Sequence, residues 1–489
     1  MSRERITLAI LALGGQGGGV LADWILDLAK HQDWRAQGTS VPGVAQRTGS
    51  TVYYVEMVPE AVATDPVLAL MPVPGDVDIV IASELMEAGR AILRGFVTKD
   101  RTTLIGSTHR IYAVSEKSAM GDGRASSERI AAACQERARR FIGFDMDAVT
   151  EASGSVISSI MFGALAGSGA LPFPRAAFED AIRASKIAVE ANLRGFEAGF
   201  QAAGAGKIVL PPVATADAPV PTSTAGRALA HRVGTLPIAA HANALHGVAR
   251  LMDYQDAAYA DLYLDRLAPI AAIGDAELAA ETARHLALWM SYEDTVRVAD
   301  LKVRASRFDR VRKEVRAKDD QILGVTEFMH PRLREICETL PAGIGRWIWE
   351  SPRLARMLEP LFRKGRHVET TSLRWFLMLR LLAGLRRFRR SSLRYHEEQE
   401  RIEGWLAAIR ETAARDTALA TEVARAQGLV KGYGDTFERG LANFATVMAA
   451  VDIVDAGGLA RLRAAALADD KGQKLAAELA TTGTQRASA

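Results

Sequence analysis

The sequence contains little cysteine, and this excludes two classes of protein. Cys134 and Cys337 are the two cysteines among 489 residues, and they lie far apart in the chain. A disulfide framework needs more thiols, so the count fits a reducing compartment such as the cytoplasm. An iron–sulfur cluster normally takes four thiolates, so we expect this chain to hold none by itself. The few histidines show no spacing typical of a metal site, and we expect no metal ligands.

An excess of one charge is lacking as well. Lys and Arg number 61 against 58 Asp and Glu, a net charge of +3, so the overall charge gives no indication of nucleic-acid binding.

Long apolar runs are also missing. The best candidate, residues 373–385, is shorter than the roughly 20 residues of a membrane helix and contains Arg380. We therefore expect a cytoplasmic protein without membrane insertion.

What is present indicates a globular protein of more than one domain. The chain is 48% apolar and 24% charged, and its length suggests two or three domains. Residues 6–13 (ITLAILAL) form a continuous apolar run, typical of a strand buried on both faces. A signal peptide fits this run less well, because glycines follow it instead of a cleavage site.

Strand-like and helix-like segments alternate over roughly the first 112 residues, which predicts a Rossmann-like, open and mostly parallel sheet with flanking helices. The later segments are rich in Ala, Leu, Arg and Glu with helical periodicity, which predicts a separate all-α domain. The fold class is thus α/β followed by all-α. We place the α/β domain at residues 1–202 and a Pro- and Ala-rich linker at 203–226. The helical domain follows at 227–478, and a flexible tail at 479–489.

A glycine-rich turn follows the first predicted strand. The sequence GGQGGG at residues 14–19 leads from that strand into an amphipathic helix, and free N–H groups at a helix start favour an anion. The dinucleotide fingerprint is incomplete, because Val20 stands at the third glycine position and no acidic residue ends the next strand. A P-loop is excluded by the missing G-K-[S/T]. The turn either binds a phosphate-bearing ligand or packs against a neighbouring segment.

A second polar loop, residues 40–49, lies between two predicted strands and carries Gln46 and Arg47. In an open α/β sheet, loops at the carboxyl ends of the strands form the ligand crevice, and the glycine turn lies on that same edge. An arginine there can bind phosphate or carboxylate through two hydrogen bonds. The alternative is an ordinary surface ion pair.

Together, these segments resemble one enzyme family. GGQGGGVLADWI and TSVPGVAQRTGSTVYYVEM resemble the gamma-type domain of 2-oxoacid:ferredoxin oxidoreductases, above all of the indolepyruvate enzymes, and the likeness covers roughly residues 5–202. LMDYQDAAYADLYLDRL and LVKGYGDTFERGLANF resemble a helical region of uncharacterised function in the same enzymes. The resemblance implies oxidative decarboxylation of a 2-oxoacid, with coenzyme A capturing the acyl group and ferredoxin accepting electrons.

The resemblance also implies a division of labour. A larger partner subunit would supply thiamine diphosphate, Mg and 4Fe–4S clusters, and this chain would hold no cofactor alone. GDG at residues 121–123 imitates a thiamine motif, but no asparagine pair follows it. The glycine turn and the second loop would face the partner's active site and help to enclose the 2-oxoacid or coenzyme A. No catalytic residue is identified. The candidate ligand-binding residues are Gly15, Gln16, Gly17, Gly18, Gly19, Ser40, Gln46, Arg47, Thr48 and Gly49.

Two further interpretations remain open. Residues 363–394 contain ten Lys or Arg and one acidic residue, Glu369. This basic stripe is either a solvated helix face or a binding surface for nucleic acid, anionic lipid or an acidic ferredoxin. Docking of ferredoxin would involve Arg386, Arg387, Arg389 and Arg390. For the chain as a whole, the alternative to an oxidoreductase subunit is a stand-alone nucleotide- or phosphate-binding regulator with a helical effector domain.

Overall fold

A computed structural model gives the structure of the chain. It describes residues 5–42, 50–63, 65–112, 116, 119, 121, 123–205, 217–315, 317–318, 320–362, 364–469 and 471–487. The chain divides into two compact units, Met1–Thr215 and Ala216–Ala489. This boundary falls inside the segment 203–226 that the composition predicts to be a linker.

The first unit is an α/β fold around a sheet of six strands. These are β1 (Ile6–Leu13), β2 (Trp34–Val41), β3 (Ser50–Pro59), β4 (Ile79–Ala82), β5 (Thr103–Ser107) and β6 (Arg140–Phe144). The helices are α1 (Gly18–Lys30), α2 (Leu85–Leu93), α3 (Ser127–Arg137), α4 (Met146–Ser153), α5 (Ile157–Ser168), α6 (Arg175–Ser185) and α7 (Val189–Gly204). The strand order is β2-β3-β1-β4-β5-β6. Strands β1, β4, β5 and β6 are parallel, and β3 is antiparallel to both β1 and β2, so the predicted mostly parallel sheet is confirmed.

Strand β1 is buried on both faces because helices cover both sides of the sheet. Ile6, Leu8 and Ile10 pack with side chains of α1, α5, α6 and α7. Ala9 and Leu11 face the other way and pack with α2 and α3. Since alternate residues of a strand point to opposite faces, a doubly covered strand has an uninterrupted apolar sequence.

Two glycines allow helices α5 and α7 to approach each other closely. A Cβ atom on Gly163 would lie 2.0 Å from the carbonyl oxygen of Phe196, and one on Gly199 would lie 2.2 Å from that of Ile160. No real Cβ atom comes this near to a backbone oxygen. The two backbones therefore touch where any other residue would hold them apart.

Glu84 joins the end of β4 to the start of α2. Its carboxylate caps the helix, accepting hydrogen bonds from the N–H groups of Met86 at 2.8 Å and Glu87 at 2.7 Å. The N–H of Ile111 donates to the same carboxylate at 3.3 Å. The side chain is buried, with 1% of the residue exposed. Burial raises the pKa of Glu84 to about 7, against the lowering effect of the three N–H groups.

The second unit is helical around a large apolar core. Its helices are α8 (Thr224–Val233), α9 (Ile238–Tyr254), α10 (Ala257–Ala271), α11 (Ala276–Met290), α12 (Thr295–Val303), α13 (Ala305–Glu314), α14 (Leu333–Thr339), α15 (Ala342–Glu350), α16 (Pro352–Phe362), α17 (Leu373–Gly384), α18 (Leu393–Ala413), α19 (Thr417–Ala426), α20 (Gly434–Met448), α21 (Ala456–Leu467) and α22 (Gln473–Ala487). Short 3-10 turns occupy Leu385–Ser391 and Gln427–Leu429. The main core joins α8–α11 with α18–α22.

One small sheet interrupts the helices of the second unit. Strand β7 (Thr326–Met329) pairs antiparallel with β8 (Arg366–Glu369). The expectation of a second domain built from helices alone therefore misses these strands. Each has four residues and a polar sequence, TEFM or RHVE, so neither shows a recognisable alternating pattern.

The ends of the second unit differ from the sequence-based bounds. Helix α8 begins at Thr224, inside the predicted linker, and Ser223 caps it by accepting a hydrogen bond from the N–H of Gly226 at 3.0 Å. Helix α22 continues through most of the segment 479–489 that was expected to be a flexible tail. Leu475 is buried in the main core and Leu479 packs against it, which ties this last helix down.

Among the described residues, no single helix combines the length and apolar character needed to cross a bilayer. Helices α4 and α5 meet these criteria only when taken together, and they are bent by 113° relative to each other. Most residues of α5 are buried in the core of the first unit.

We expect Gly199→Ala to lower the free energy of unfolding by ~1–3 kcal/mol or more, because the new methyl group forces α5 and α7 apart. Gly204→Ala is the matched control on the same helix, since nothing lies within 4 Å of a Cβ at that position. Calorimetric unfolding of the two variants measures the difference. Equal melting temperatures would show that the helices tolerate a wider separation.

We expect Glu84 to make the stability of the first unit depend on pH. Its folded pKa of about 7 lies above the ordinary 4.5, so between these values the folded state keeps a proton that the unfolded state releases. Stability should therefore fall as pH rises from about 4.5 to about 7, by at most roughly 3 kcal/mol.

Glu84→Gln should remove this slope while keeping an acceptor oxygen for the helix cap. Urea unfolding at a series of pH values provides the measurement. Glu151→Gln, on the exposed surface of α4, should leave the slope as it is in the parent. An unchanged slope in Glu84→Gln would contradict the assignment to this carboxyl group.

Candidate functional site

The candidate site lies at the edge of the sheet where the parallel strands end. Strands β1, β4, β5 and β6 run in the same direction, so Leu13, Ala82, Ser107 and Phe144 end at this edge. Leu13 pairs with Ser50, the first residue of β3, so that strand begins here. The polar residues that follow the strand ends are therefore brought together.

The glycine turn connects β1 to α1 at this edge, and one half of it is open. Gly14 and Gly15 are exposed, and nothing lies within 4 Å of a Cβ placed on either residue. Gly15 has φ +85°, in the region that favours glycine. The N–H of Gln16 donates to the carbonyl of Leu13 at 3.1 Å and closes the turn. A ligand or another chain can approach the backbone at Gly14 and Gly15.

The other half of the turn is packed. A Cβ on Gly17 would lie 3.0 Å from Ser158, and one on Gly18 would lie 2.5 Å from the ring of Tyr53. Gly19 also faces the Tyr53 ring, at 3.6 Å. Close packing thus accounts for Gly18, and for Gly17 together with its φ of +68°. The turn is therefore open to a ligand at Gly14 and Gly15 and packed against neighbouring segments at Gly17 and Gly18.

Gln16 is held by β1 and β4. Its side-chain oxygen accepts hydrogen bonds from the N–H of Leu13, at 3.2 Å, and from the hydroxyl of Ser83. The Ser83 hydroxyl oxygen in turn accepts from the N–H of Leu13 at 3.3 Å. These contacts give Gln16 a role in fixing the turn.

The strand order reverses beside this turn. From β1 the chain continues to β2 and β3 on one side, and then crosses to β4 on the other side. The order therefore reverses between β1 and β4, the position where open α/β sheets bind ligands. Gly14 and Gly15 follow β1 at this reversal, and Ser83 and Glu84 follow β4.

The next strand end adds a buried histidine. Nδ1 of His109 lies 2.5 Å from the hydroxyl oxygen of Ser107, which also accepts a hydrogen bond from the N–H of Met146 at 3.0 Å. Burial lowers the pKa of His109, against the opposite effect of Asp147 and Asp145. His109 is therefore largely neutral at physiological pH and can donate or accept a hydrogen bond without carrying a charge.

Neither Glu84 nor His109 was identified from the sequence. Both come directly after segments that read as strands, ASE after DIVI and STH after TLIG. A polar residue at the end of a predicted parallel strand is the signal that would have singled them out.

The predicted residues of the second loop lie only partly within the described residues. Ser40 is near the end of β2, is exposed, and pairs with Tyr53 of β3. Gln46, Arg47, Thr48 and Gly49 fall in the segment 43–49, outside the described residues. The strands on either side, β2 and β3, meet this edge through the pairs Val41–Val52 and Leu13–Ser50. Within the described ranges, no three His, Cys, Asp or Glu side chains are grouped to hold a metal ion.

Part of the basic stripe of the second unit serves inside the fold. Arg389 is 3% exposed, its Nε lies 2.6 Å from Asp294, and its guanidinium stacks 4.1 Å from the ring centre of Tyr254. Arg386 donates to the carbonyl of Gln255 at 2.8 Å.

The remaining two arginines of that group differ. Arg390 pairs with Asp256 at 2.8 Å, so three of the four arginines hold neighbouring elements together. Arg387 is exposed, and its Nε reaches the carbonyl of Gly384 at 3.4 Å. The hypothesis of ferredoxin docking through these four residues is therefore not supported. Elsewhere in the stripe Arg374 and Arg380 are exposed, as a solvated face requires.

Comparison with known proteins covers both units. Residues 7–202 match the family described as pyruvate ferredoxin/flavodoxin oxidoreductase. Residues 240–450 match a family of unknown function, DUF6537. No curated protein matches the chain.

Solved structures resemble part of the chain. The pyruvate oxidoreductase subunit PORC from Thermotoga maritima is 17% identical over 41% of this chain and 97% of its own, with a TM-score of 0.29. The gamma subunit of the keto/oxoacid ferredoxin oxidoreductase from Geobacter sulfurreducens is 15% identical over 41% of this chain and 99% of its own, with a TM-score of 0.28.

A third structure, 2-oxoglutarate:ferredoxin oxidoreductase from Magnetococcus marinus, contains bound 2-oxoglutarate, coenzyme A and succinyl-CoA. It is 13% identical over 43% of this chain and 33% of its own, with a TM-score of 0.29. The family match at residues 7–202 includes all six strands of the sheet, apart from the first residue of β1. It also includes helices α1–α6 and most of α7. Most of the first unit thus matches the pyruvate ferredoxin/flavodoxin oxidoreductase family.

Proposed function

We propose that this chain is the non-thiamine subunit of an oxidoreductase that acts on indolepyruvate or a related aryl pyruvate. The complex would decarboxylate the 2-oxoacid oxidatively, transfer the acyl group to coenzyme A and pass the electrons to ferredoxin. The preference for aryl pyruvates rests on the sequence resemblance of both halves of the chain to the indolepyruvate enzymes. The subunit role rests on the match at residues 7–202.

One structural observation carries the role of this chain. Gly14 and Gly15 expose their backbone at the reversal of strand order, with open space where side chains would be. Helix α1 starts four residues after Gly14, and its N-terminal N–H groups and dipole favour an anion. The phosphates of coenzyme A and the carboxylate of a 2-oxoacid are both anions. The open half of the turn is therefore suited to enclose one of them.

The remaining candidate residues complete this wall in the proposal. Gly15 would contact the ligand directly, while Gln16, Gly17 and Gly18 hold the turn in place through Ser83, Ser158 and Tyr53. Gln46, Arg47, Thr48 and Gly49 would add polar contacts from the second loop. Glu84 is too buried to meet a ligand, and it would position the segment at Ile111 instead.

The cofactors would come from a larger partner subunit. The two cysteines of this chain are both buried, and burial raises the pKa of the Cys134 thiol to about 12. Two separate thiols do not fit an iron–sulfur cluster, which takes four. Thiamine diphosphate, when bound with Mg in the partner, supplies the carbon–carbon cleavage. This chain contributes binding and shape.

Purification with the partner tests the proposed function. We expect a tagged chain, isolated from its native cytoplasm, to bring down a larger subunit with the brown absorbance of iron–sulfur clusters. The complex should reduce ferredoxin when indolepyruvate and coenzyme A are added. A colourless chain that binds a nucleotide by itself would instead establish the alternative, a stand-alone regulator.

Gly14→Glu tests the open half of the turn. The position has open space and no positive φ, so the fold should tolerate the side chain, while its charge should repel an anionic ligand. We expect kcat/KM of the complex for coenzyme A or for the 2-oxoacid to fall about tenfold or more, which corresponds to the loss of ~1.4 kcal/mol.

Gly204→Glu is the matched control, at an equally open position at the end of α7. Both variants should assemble with the partner and melt within a few degrees of the parent. If Gly14→Glu retains full activity with both substrates, the open turn is not part of the ligand wall.

A further inference from the structure

The second unit contains a large cavity with no assigned role. Its volume is about 1030 Å³, at the upper end of the range for ligand pockets. Residues of α12, α17, β7, β8 and the turn Leu385–Ser391 line it. The cavity belongs to the segment whose match is a family of unknown function.

Much of the wall is apolar. The side chains that form it include Leu340, Leu361, Phe362, Trp375, Met378 and Leu379. Part of this surface is open to solvent, since Leu361 is 62% exposed and Phe388, also in the lining, is 59% exposed. Large exposed apolar side chains grouped around a cavity mark a binding surface rather than ordinary protein surface.

The apolar core of this region is small. Four buried residues, Ala299, Val303, Val368 and Leu379, form its cluster, with a few half-buried side chains around them. Trp375 is one of these half-buried side chains and also lines the cavity. An apolar ligand would extend this cluster and bury the side chains that the protein leaves exposed.

Charged side chains within the cavity are neutralised by one another. Three ion pairs do this: Arg389 with Asp294, Arg307 with Glu327, and Arg394 with Glu338. Lys302 pairs with Glu327 as well. Most of this charge is therefore paired, apart from one excess positive charge where Lys302 and Arg307 share Glu327.

The rim differs from the interior. Lys364 and Arg366 line the cavity and are exposed, and within the described ranges their side chains form neither a hydrogen bond nor an ion pair. Arg310, also in the lining, lies 3.6 Å from Glu314 of its own helix. The rim thus presents positive charge beside an apolar wall.

We propose that this cavity binds an amphipathic anion, a single carboxylate head on a long apolar body such as a fatty acyl chain. The carboxylate head lies at Lys364 and Arg366, where it neutralises the positive charge of the rim. The body runs along Trp375, Met378 and Leu379. A cationic amphiphile would meet the same wall but would be repelled at the rim.

Calorimetric titration of the purified full-length chain with dodecanoate tests this proposal without the partner subunit. We expect one dodecanoate per chain, bound about tenfold or more tightly than dodecyltrimethylammonium, with dodecanol between them. Equal affinity for the carboxylate and the ammonium, or no binding of dodecanoate, would overturn the proposal. Neither result bears on the oxidoreductase complex, so the two proposals fail separately.

Charge reversal at the rim provides the matched comparison. Lys364→Glu with Arg366→Glu should weaken dodecanoate binding about tenfold or more, through two lost charge contacts. Arg353→Glu with Arg356→Glu removes the same charge from α16, where the side chains are exposed and do not line the cavity. That control should bind within about twofold of the parent. The same loss in both pairs would reduce the effect to overall charge and contradict a site.

The apolar wall is tested on one helix. Leu382 of α17 lines the cavity, so Leu382→Trp should fill it and reduce dodecanoate binding. Leu377 of the same helix is exposed and is not part of the lining, so Leu377→Trp should leave binding unchanged. Melting curves show whether each variant is folded, and the charge-reversal pairs decide the question if Leu382→Trp is not. Binding to phosphatidylglycerol vesicles without binding of free dodecanoate would assign this surface to a membrane and overturn the proposal.

Discussion

The burial of β1 between two layers of helices is the constraint on which the first unit depends. The strand pairs with β3 on one side and β4 on the other, and both of its faces are covered. Its end can therefore move very little. This rigidity fixes the place where the glycine turn starts, and so fixes an exposed stretch of backbone against the neighbouring strand end. A rigid scaffold that positions a loop is the usual foundation of a binding site.

Within the turn, packing and exposure are assigned to different residues. Ser158 and Tyr53 occupy the space beside Gly17 and Gly18, whereas nothing lies within 4 Å of a Cβ on Gly14 or Gly15. A positive φ is a further reason for glycine at Gly15 and Gly17. These causes are indistinguishable in a sequence of repeated glycines. Gln16 separates the two halves and links the turn to Ser83. The hydrogen bond explains why a polar residue interrupts the glycines.

The sequence was sufficient for features that depend on local pattern. An uninterrupted apolar run identified β1, and helical periodicity identified α1 and the helical second unit. Features created by contacts between distant segments could not be read in this way. The acceptors of Arg386 and Arg389 lie about 90 to 130 residues away, so a row of arginines resembled a surface stripe. Glu84 and His109 likewise could not be assigned to the site from the sequence, because the register of the parallel strands brings them to the same edge of the sheet.

The small cluster around Leu379 has a consequence for the dynamics of the second unit. A region with four buried apolar residues is held together much more weakly than the main core, which draws on helices from both ends of the unit. Local opening of such a region has a lower free energy than global unfolding. Amide hydrogens of β7, β8 and α17 should therefore exchange with solvent as one early cooperative group, while those of α10 and α11 exchange only when the whole unit unfolds.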